Sequence, residues 1–135
     1  MKLKIMFDDE ILNSIVFDSD GSSDIYALLK LAEINELDIY ICAMSLVKIC
    51  MNIDKRKYKT FIGLIDNLLS VCDLRMNDIR KAIGYKDFYS GIMIRQAIRH
   101  KLDYIVTNNS EFFNSTIKVA SPKEIRKILE DGKTN

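Results

Sequence analysis

Short apolar runs rich in β-formers recur along this chain, and most are followed by a stretch with helical spacing. Residues 2–7 (KLKIMF), 38–42 (DIYIC), 70–74, 104–107 (YIVT) and 117–120 (IKVA) read as strands. Between them lie helical segments: 11–17, a stripe of Ile25, Leu28, Leu29 and Ala32, and residues 45–51. The clearest amphipathic pattern is Tyr58, Phe61, Ile62, Ile65, Leu68 and Leu69, at the i, i+3, i+4, i+7 spacing of one helix face. Further helices are expected at 77–83 and from Asp87, as N-cap, to about His100. SPKE, residues 121–124, starts a last one, with Ser as N-cap, Pro in the first turn and Glu three residues on. DSDGSS, residues 18–23, and KRKYK, residues 55–59, read as loops. Strands alternating with helices cannot pair as tight hairpins. They imply a parallel sheet covered on both faces, in one α/β domain over residues 1–135.

Composition narrows the functional classes. Lys and Arg number 20 against 19 Asp and Glu, so overall charge does not advertise nucleic-acid or membrane binding. MKLKIMF has no apolar signal region, and no run approaches a membrane span, so a cytoplasmic protein with no membrane partner is expected. Cys42, Cys50 and Cys72 are far apart and set among apolar neighbours, which suits reduced core residues better than zinc or a disulfide. His100 is the only histidine and lies beside Arg99 and Lys101 near a helix end. No nucleophile has a histidine partner legible in the sequence, and no glycine-rich phosphate cradle is present.

In an open α/β sheet, ligands bind beyond the carboxyl ends of the strands where strand order reverses. The first strand ends in Asp8, Asp9 and Glu10, the fourth in Thr107, Asn108, Asn109 and Ser110. The intervening helix starts with Asp87 and Ser90. These groups converge if the first and fourth strands are neighbours. The bland alternative is that the acids solvate a strand end and favour the next helix, with Asp87 and Ser90 as caps and Thr107 and Asn109 shaping a turn.

KIMFDDEIL (4–12) is similar to the opening of PIN-domain nucleases, where a strand ends in Asp-Thr-Asn. The likeness continues in order through IYICAMSLVKI (39–49), KDFYSGIMIRQAIRHKLDYIVTNNSEFF (86–113) and IKVASPKEI (117–125). The chain most resembles small bacterial PIN proteins of the VapC-like kind, many of them toxins of toxin–antitoxin pairs. The resemblance implies a three-layer α/β/α sandwich with a parallel five-stranded sheet in the order 3-2-1-4-5. It also implies RNA cleavage with Mg²⁺ or Mn²⁺, an antitoxin-like protein partner and a homodimer. Of the family's acid positions, the first falls on Asp8, the second on Lys48, the third on Ser90 and the fourth on Asn109. The family's Asn two residues past the first acid is Glu10.

Lys48 in place of an acid does more than remove a ligand. An ammonium about 5 Å from a divalent cation, at an effective dielectric of about 20, is repelled by about 6–7 kcal/mol. Ionised Lys48 is expected to pair with Asp8 instead. Asp9, Glu10 or Glu111 could rebuild a site, but adjacent strand residues face opposite ways, so Glu10 is a better companion to Asp8 than Asp9. Two functions follow: a weak or inactive ribonuclease kept as an RNA- or protein-binding module, or a Mg/Mn-dependent endoribonuclease centred on Asp8. Lys55, Arg56, Lys57 and Tyr58 offer phosphate contacts and a base-stacking ring, though such a run is more often a solvated loop and Tyr58 already fits the next helix's apolar stripe.

Overall fold

The computed structural model describes residues 2–17, 23–109 and 116–133. The elements run β1 (Leu3–Phe7), α1 (Asp9–Val16), α2 (Ser23–Glu33), β2 (Leu37–Cys42), α3 (Ala43–Asn52), α4 (Lys55–Leu68) and β3 (Leu69–Cys72). They continue with α5 (Met76–Ala82), α6 (Phe88–Arg99), β4 (Tyr104–Val106), β5 (Val119–Ala120) and α7 (Pro122–Lys133). The strands form one five-stranded, wholly parallel sheet in the order β3-β2-β1-β4-β5. This is the expected order, and it places β1 and β4 side by side.

Alternation of side chains divides the core into two layers. Ile5 and Phe7 of β1 pack with Ile39 and Ile41 of β2 against α1, α2, α4 and α7, through Ile11, Leu12, Leu28, Phe61 and Ile125. Met6 between them faces the other way, with Cys42, Cys72 and Ile105, against Ile92, Met93 and Ala97 of α6. Ile5, Met6 and Phe7 are wholly buried, as a central strand covered on both faces requires. Each such side chain contributes about 1.5–3 kcal/mol relative to exposure. Gly91 lets α6 close on the preceding loop, because a Cβ there would lie 2.9 Å from Tyr85 Cβ.

Helix ends follow local chemistry. Ser121 and Glu124 form the expected reciprocal cap, with Glu124 N–H donating to Ser121 Oγ (3.2 Å) and Ser121 N–H to Glu124 Oε1 (3.0 Å). The helices leading into β2 and β4 end alike. Glu36 N–H donates to Leu31 O and Asn35 N–H to Ala32 O; Leu102 N–H donates to Ala97 O and Lys101 N–H to Ile98 O. Asn35 (φ 63°) and Lys101 (φ 56°) take the left-handed turn that this motif needs.

Three expectations shift. Leu69 belongs to β3, paired with Ile39, because the backbone turns extended there while the side chain stays buried. KRKYK is the opening of α4 rather than a loop: Asp54 caps it, accepting the Arg56 N–H at 3.0 Å. β5 is shorter than 117–120 and begins at Val119. Most of the expected loop at 18–23 lies outside the described residues. Cys42 and Cys72 are buried, Cys50 is half-buried, and all three are free. Among the described residues, no helix is long and apolar enough to cross a membrane.

Candidate functional site

A cleft of about 320 Å³ opens beyond the carboxyl ends of β1 and β4, lined by Asp8, Asp9, Glu10, Lys48, Asp87, Tyr89, Met93 and Asn109. Its floor is the handover from β1 to α1. Asp8 N–H still extends the sheet, donating to Val106 O (3.1 Å), while Asp8 Oδ1 accepts the Ile11 N–H (2.9 Å) as N-cap of α1. Only 7% exposed, the Asp8 carboxyl is held above its ordinary pKa, chiefly by burial. Hydrogen bonds from Thr107 and Ile11 oppose that shift, and the charges of Glu10 and Asp9 add to it. Thr107 also accepts the Asn109 N–H (3.0 Å), so one buried hydroxyl ties the β4 turn to Asp8.

The centre of the polar network is Asp9. Ser45 Oγ and Tyr89 OH (2.9 Å) both donate to Asp9 Oδ1, and Lys48 Nζ lies 3.4 Å from Asp9 Oδ2. The same ammonium sits 3.9 Å from the centroid of the Tyr89 ring. Burial keeps the Tyr89 phenol well above its usual pKa, and the Asp9 charge adds to that, so the phenol remains a donor.

This corrects two expectations. Lys48 pairs with Asp9, not Asp8, because Asp8 is folded back onto the α1 cap and Thr107. Asp9 does face the cleft, because it opens a helix and strand alternation no longer governs its direction. Neither Ser45 nor Tyr89 is among the residues expected at the cleft. The Ser in AMSLVKI stands three residues before Lys48, on the same helix face, and was the available clue.

The other candidates fall as follows. Ser90 is 3% exposed and donates its hydroxyl to Asp87 Oδ2, so α6 presents the Asp87 carboxylate to the cleft while Ser90 stays behind it. Asn109 and Glu10 are exposed on the cleft wall. Lys55, Arg56, Lys57 and Tyr58 are exposed at the start of α4 and do not line the cleft. Arg56 and Lys57 instead edge a separate groove of about 370 Å³ whose floor includes Ile15, Val16, Leu29, Phe61 and Leu64. Ser110 and Glu111 lie outside the described residues.

No protein-family model matches the chain, and no curated protein does.

Oxygen donors are what Mg²⁺ or Mn²⁺ needs, and the cleft has four carboxylates and an amide. Their arrangement does not fit such an ion. Both Asp9 oxygens are engaged, Asp8 is tied to Ile11 and Thr107, and the Lys48 ammonium stands beside Asp9. Among the described residues, no group of three or more His, Cys, Asp or Glu is placed to hold a metal. What the arrangement can do is hold one cationic group and present acids and a polar amide around it.

Proposed function

We propose that this protein is a PIN-like domain of the bacterial toxin–antitoxin type whose nuclease cleft is degenerate, a weak or inactive ribonuclease retained as a binding module. The observation that carries the reading is the Lys48 ammonium, seated between Asp9 Oδ2 and the Tyr89 ring in the cleft beyond β1 and β4. A lysine supplies positive charge, but it does not polarise a water as a divalent metal does. The exposed basic start of α4, with Tyr58 48% exposed, suits an RNA backbone and a stacked base. An antitoxin-like protein and a second copy of the chain are the other partners that belong to this reading. The free cysteines support a cytoplasmic setting.

Incubation of the purified protein with structured and single-stranded RNA in Mg²⁺ or Mn²⁺ tests it, with binding followed on the same RNAs. Binding without turnover, weakened when Lys55, Arg56 and Lys57 become Ala, is expected. Multiple-turnover cleavage abolished by Asp8→Ala would overturn it.

Asp87 favours a second reading, that of a Mg/Mn-dependent endoribonuclease with a rebuilt acidic site centred on Asp8. Asp87 precedes Ser90 by three residues, about one helical turn, and its carboxylate lines the same cleft as Asp8. Cleavage lost equally in Asp8→Ala and Asp87→Ala is the result that reading expects.

A further inference from the structure

The groove between α4 and the pair α1 and α2 has a chemistry opposite to that of the cleft. Its volume, about 370 Å³, is that of a site for one small organic molecule. The floor is apolar: Ile15 and Val16 of α1, Leu29 of α2, and Phe61 and Leu64 of α4. Phe61 and Leu29 are buried members of the core, so the floor is rooted in the fold rather than laid on its surface. The half-exposed Tyr26 ring adds an aromatic wall. Polar groups are few, and the charged ones come from α4 alone. Arg56, Lys57 and Thr60 stand on that side, where residues 57, 60, 61 and 64 share one helix face. Among the described residues, no carboxylate lines the groove. Asp54, the nearest acid along the chain, is already engaged: it accepts the Arg56 N–H (3.0 Å) and the Arg56 guanidinium (3.1 Å). Among the described residues Lys57 makes no ion pair, and its ammonium lies 5.9 Å from the centroid of the exposed Phe17 ring.

We propose that this groove binds an amphiphilic carboxylate, a small organic acid with a hydrocarbon body of roughly ten carbons. The hydrocarbon lies on Ile15, Phe61 and Leu64, where it removes apolar surface from water. The carboxylate meets the Lys57 ammonium at the rim, with the exposed Thr60 hydroxyl as a second donor. Arg56, held by Asp54, adds positive field rather than a contact. A floor of this kind accepts any apolar chain, and the unpaired ammonium selects an anion over a cation. The inference is independent of what the cleft beyond β1 and β4 does.

Titration calorimetry of the full chain with sodium decanoate, kept below its micellar concentration, tests this. Hexanoate shortens the chain, and decyltrimethylammonium carries the same chain under the opposite charge. Saturable one-to-one binding of decanoate is expected, with hexanoate and decyltrimethylammonium each at least about tenfold weaker. Lys57→Glu and Thr60→Trp, both at exposed helical positions, should each weaken decanoate at least about tenfold. Thr60→Trp fills the groove and keeps every cation of α4, so it separates this site from RNA contacts made by the same lysines. Circular dichroism checks that both variants fold. No saturable decanoate binding overturns the inference. So does equal binding of decanoate and decyltrimethylammonium, or decanoate binding unchanged in both variants. Binding of an acidic amphipathic Leu/Glu peptide in place of decanoate overturns it too, and assigns the groove to a protein partner.

Discussion

Two clusters of charged side chains form around α6, one at each end, and they are built on opposite principles. At its C-terminal end Arg99 is 22% exposed at the side chain. It reaches Asp78 Oδ2 (2.9 Å) and Asp73 Oδ1 (3.1 Å), while Asp78, 5% exposed, also accepts the Arg75 N–H (3.1 Å). The Asp73 carboxyl is pulled down to about 2, first by hydrogen bonds from Arg75 and Arg99. Opposite charges here match, and the guanidinium fork meets its acceptors on two sides, which rivets α5 to α6 and to the end of β3. At the N-terminal end, Tyr89 stands in a cleft where carboxylates outnumber cations, and the one ammonium is 57% exposed. A balanced cluster closed around one buried acid, Asp78, is what stability alone selects. An unbalanced, half-open one costs stability and marks the place where a protein does something else.

The largest effect should come from breaking the rivet. Arg99→Ala leaves Asp78 buried without its counter-charge, and a loss of about 3 kcal/mol is expected, read as a lower urea midpoint with unchanged slope. A loss below about 1 kcal/mol would mean that the cluster is not the structural half of the comparison.

Asp8 tests the opposite claim, that the cleft holds unfavourable charge. Its folded pKa is raised above the ordinary 3.8, mainly by burial. The folded state therefore binds the proton more tightly than the unfolded chain. Ionisation costs stability as pH rises from 3.8 through the raised value, and the full cost persists above it. Asp8→Asn preserves the N-cap, since Asn serves as well as Asp there. It should be more stable than wild type at neutral pH, with the difference closing as pH falls through that window. Thermal melts across the acid range check this, and a variant less stable at every pH would contradict it.

The smallest effect is assigned to Lys48→Met. The ion pair is half-exposed and long, so its loss should cost no more than about 1 kcal/mol of folding stability. Set beside Arg99→Ala, this measures how differently the two clusters use a cation. Equal losses in the two variants would erase the distinction.

What the sequence made legible separates from what it did not by range of interaction. Elements written in local chemistry were legible: the strand runs, the Ser121–Glu124 cap, and the amphipathic stripe from Tyr58 to Leu68, whose last expected member, Leu69, opens β3 instead. Asp8, Asp87 and Asn109 line one cleft, as the rule about strand ends implied for neighbouring β1 and β4, whereas Lys48, which also lines it, was pointed to only by the resemblance to PIN domains. The pairings inside that place were not legible. Lys48 could reach either of two adjacent aspartates, and which one it took depended on where β1 stopped being a strand.

By itself, then, the sequence determined the alternation of strands and helices and the residue types gathered at the cleft, since periodicity and capping are properties of neighbours along the chain. Only the tertiary structure decided that Asp8 turns inward as a cap while Asp9 turns outward to Lys48. It likewise decided that Ser90 stays behind the cleft wall and holds Asp87 at it, and that Tyr89 lies against the ammonium. Apart from the local Asp8–Ile11 and Asp87–Ser90 bonds, those choices join residues 36 to 80 positions apart. They are settled by burial and distance after the sheet has formed, when a shift of one residue in a helix start changes which carboxylate meets the cation.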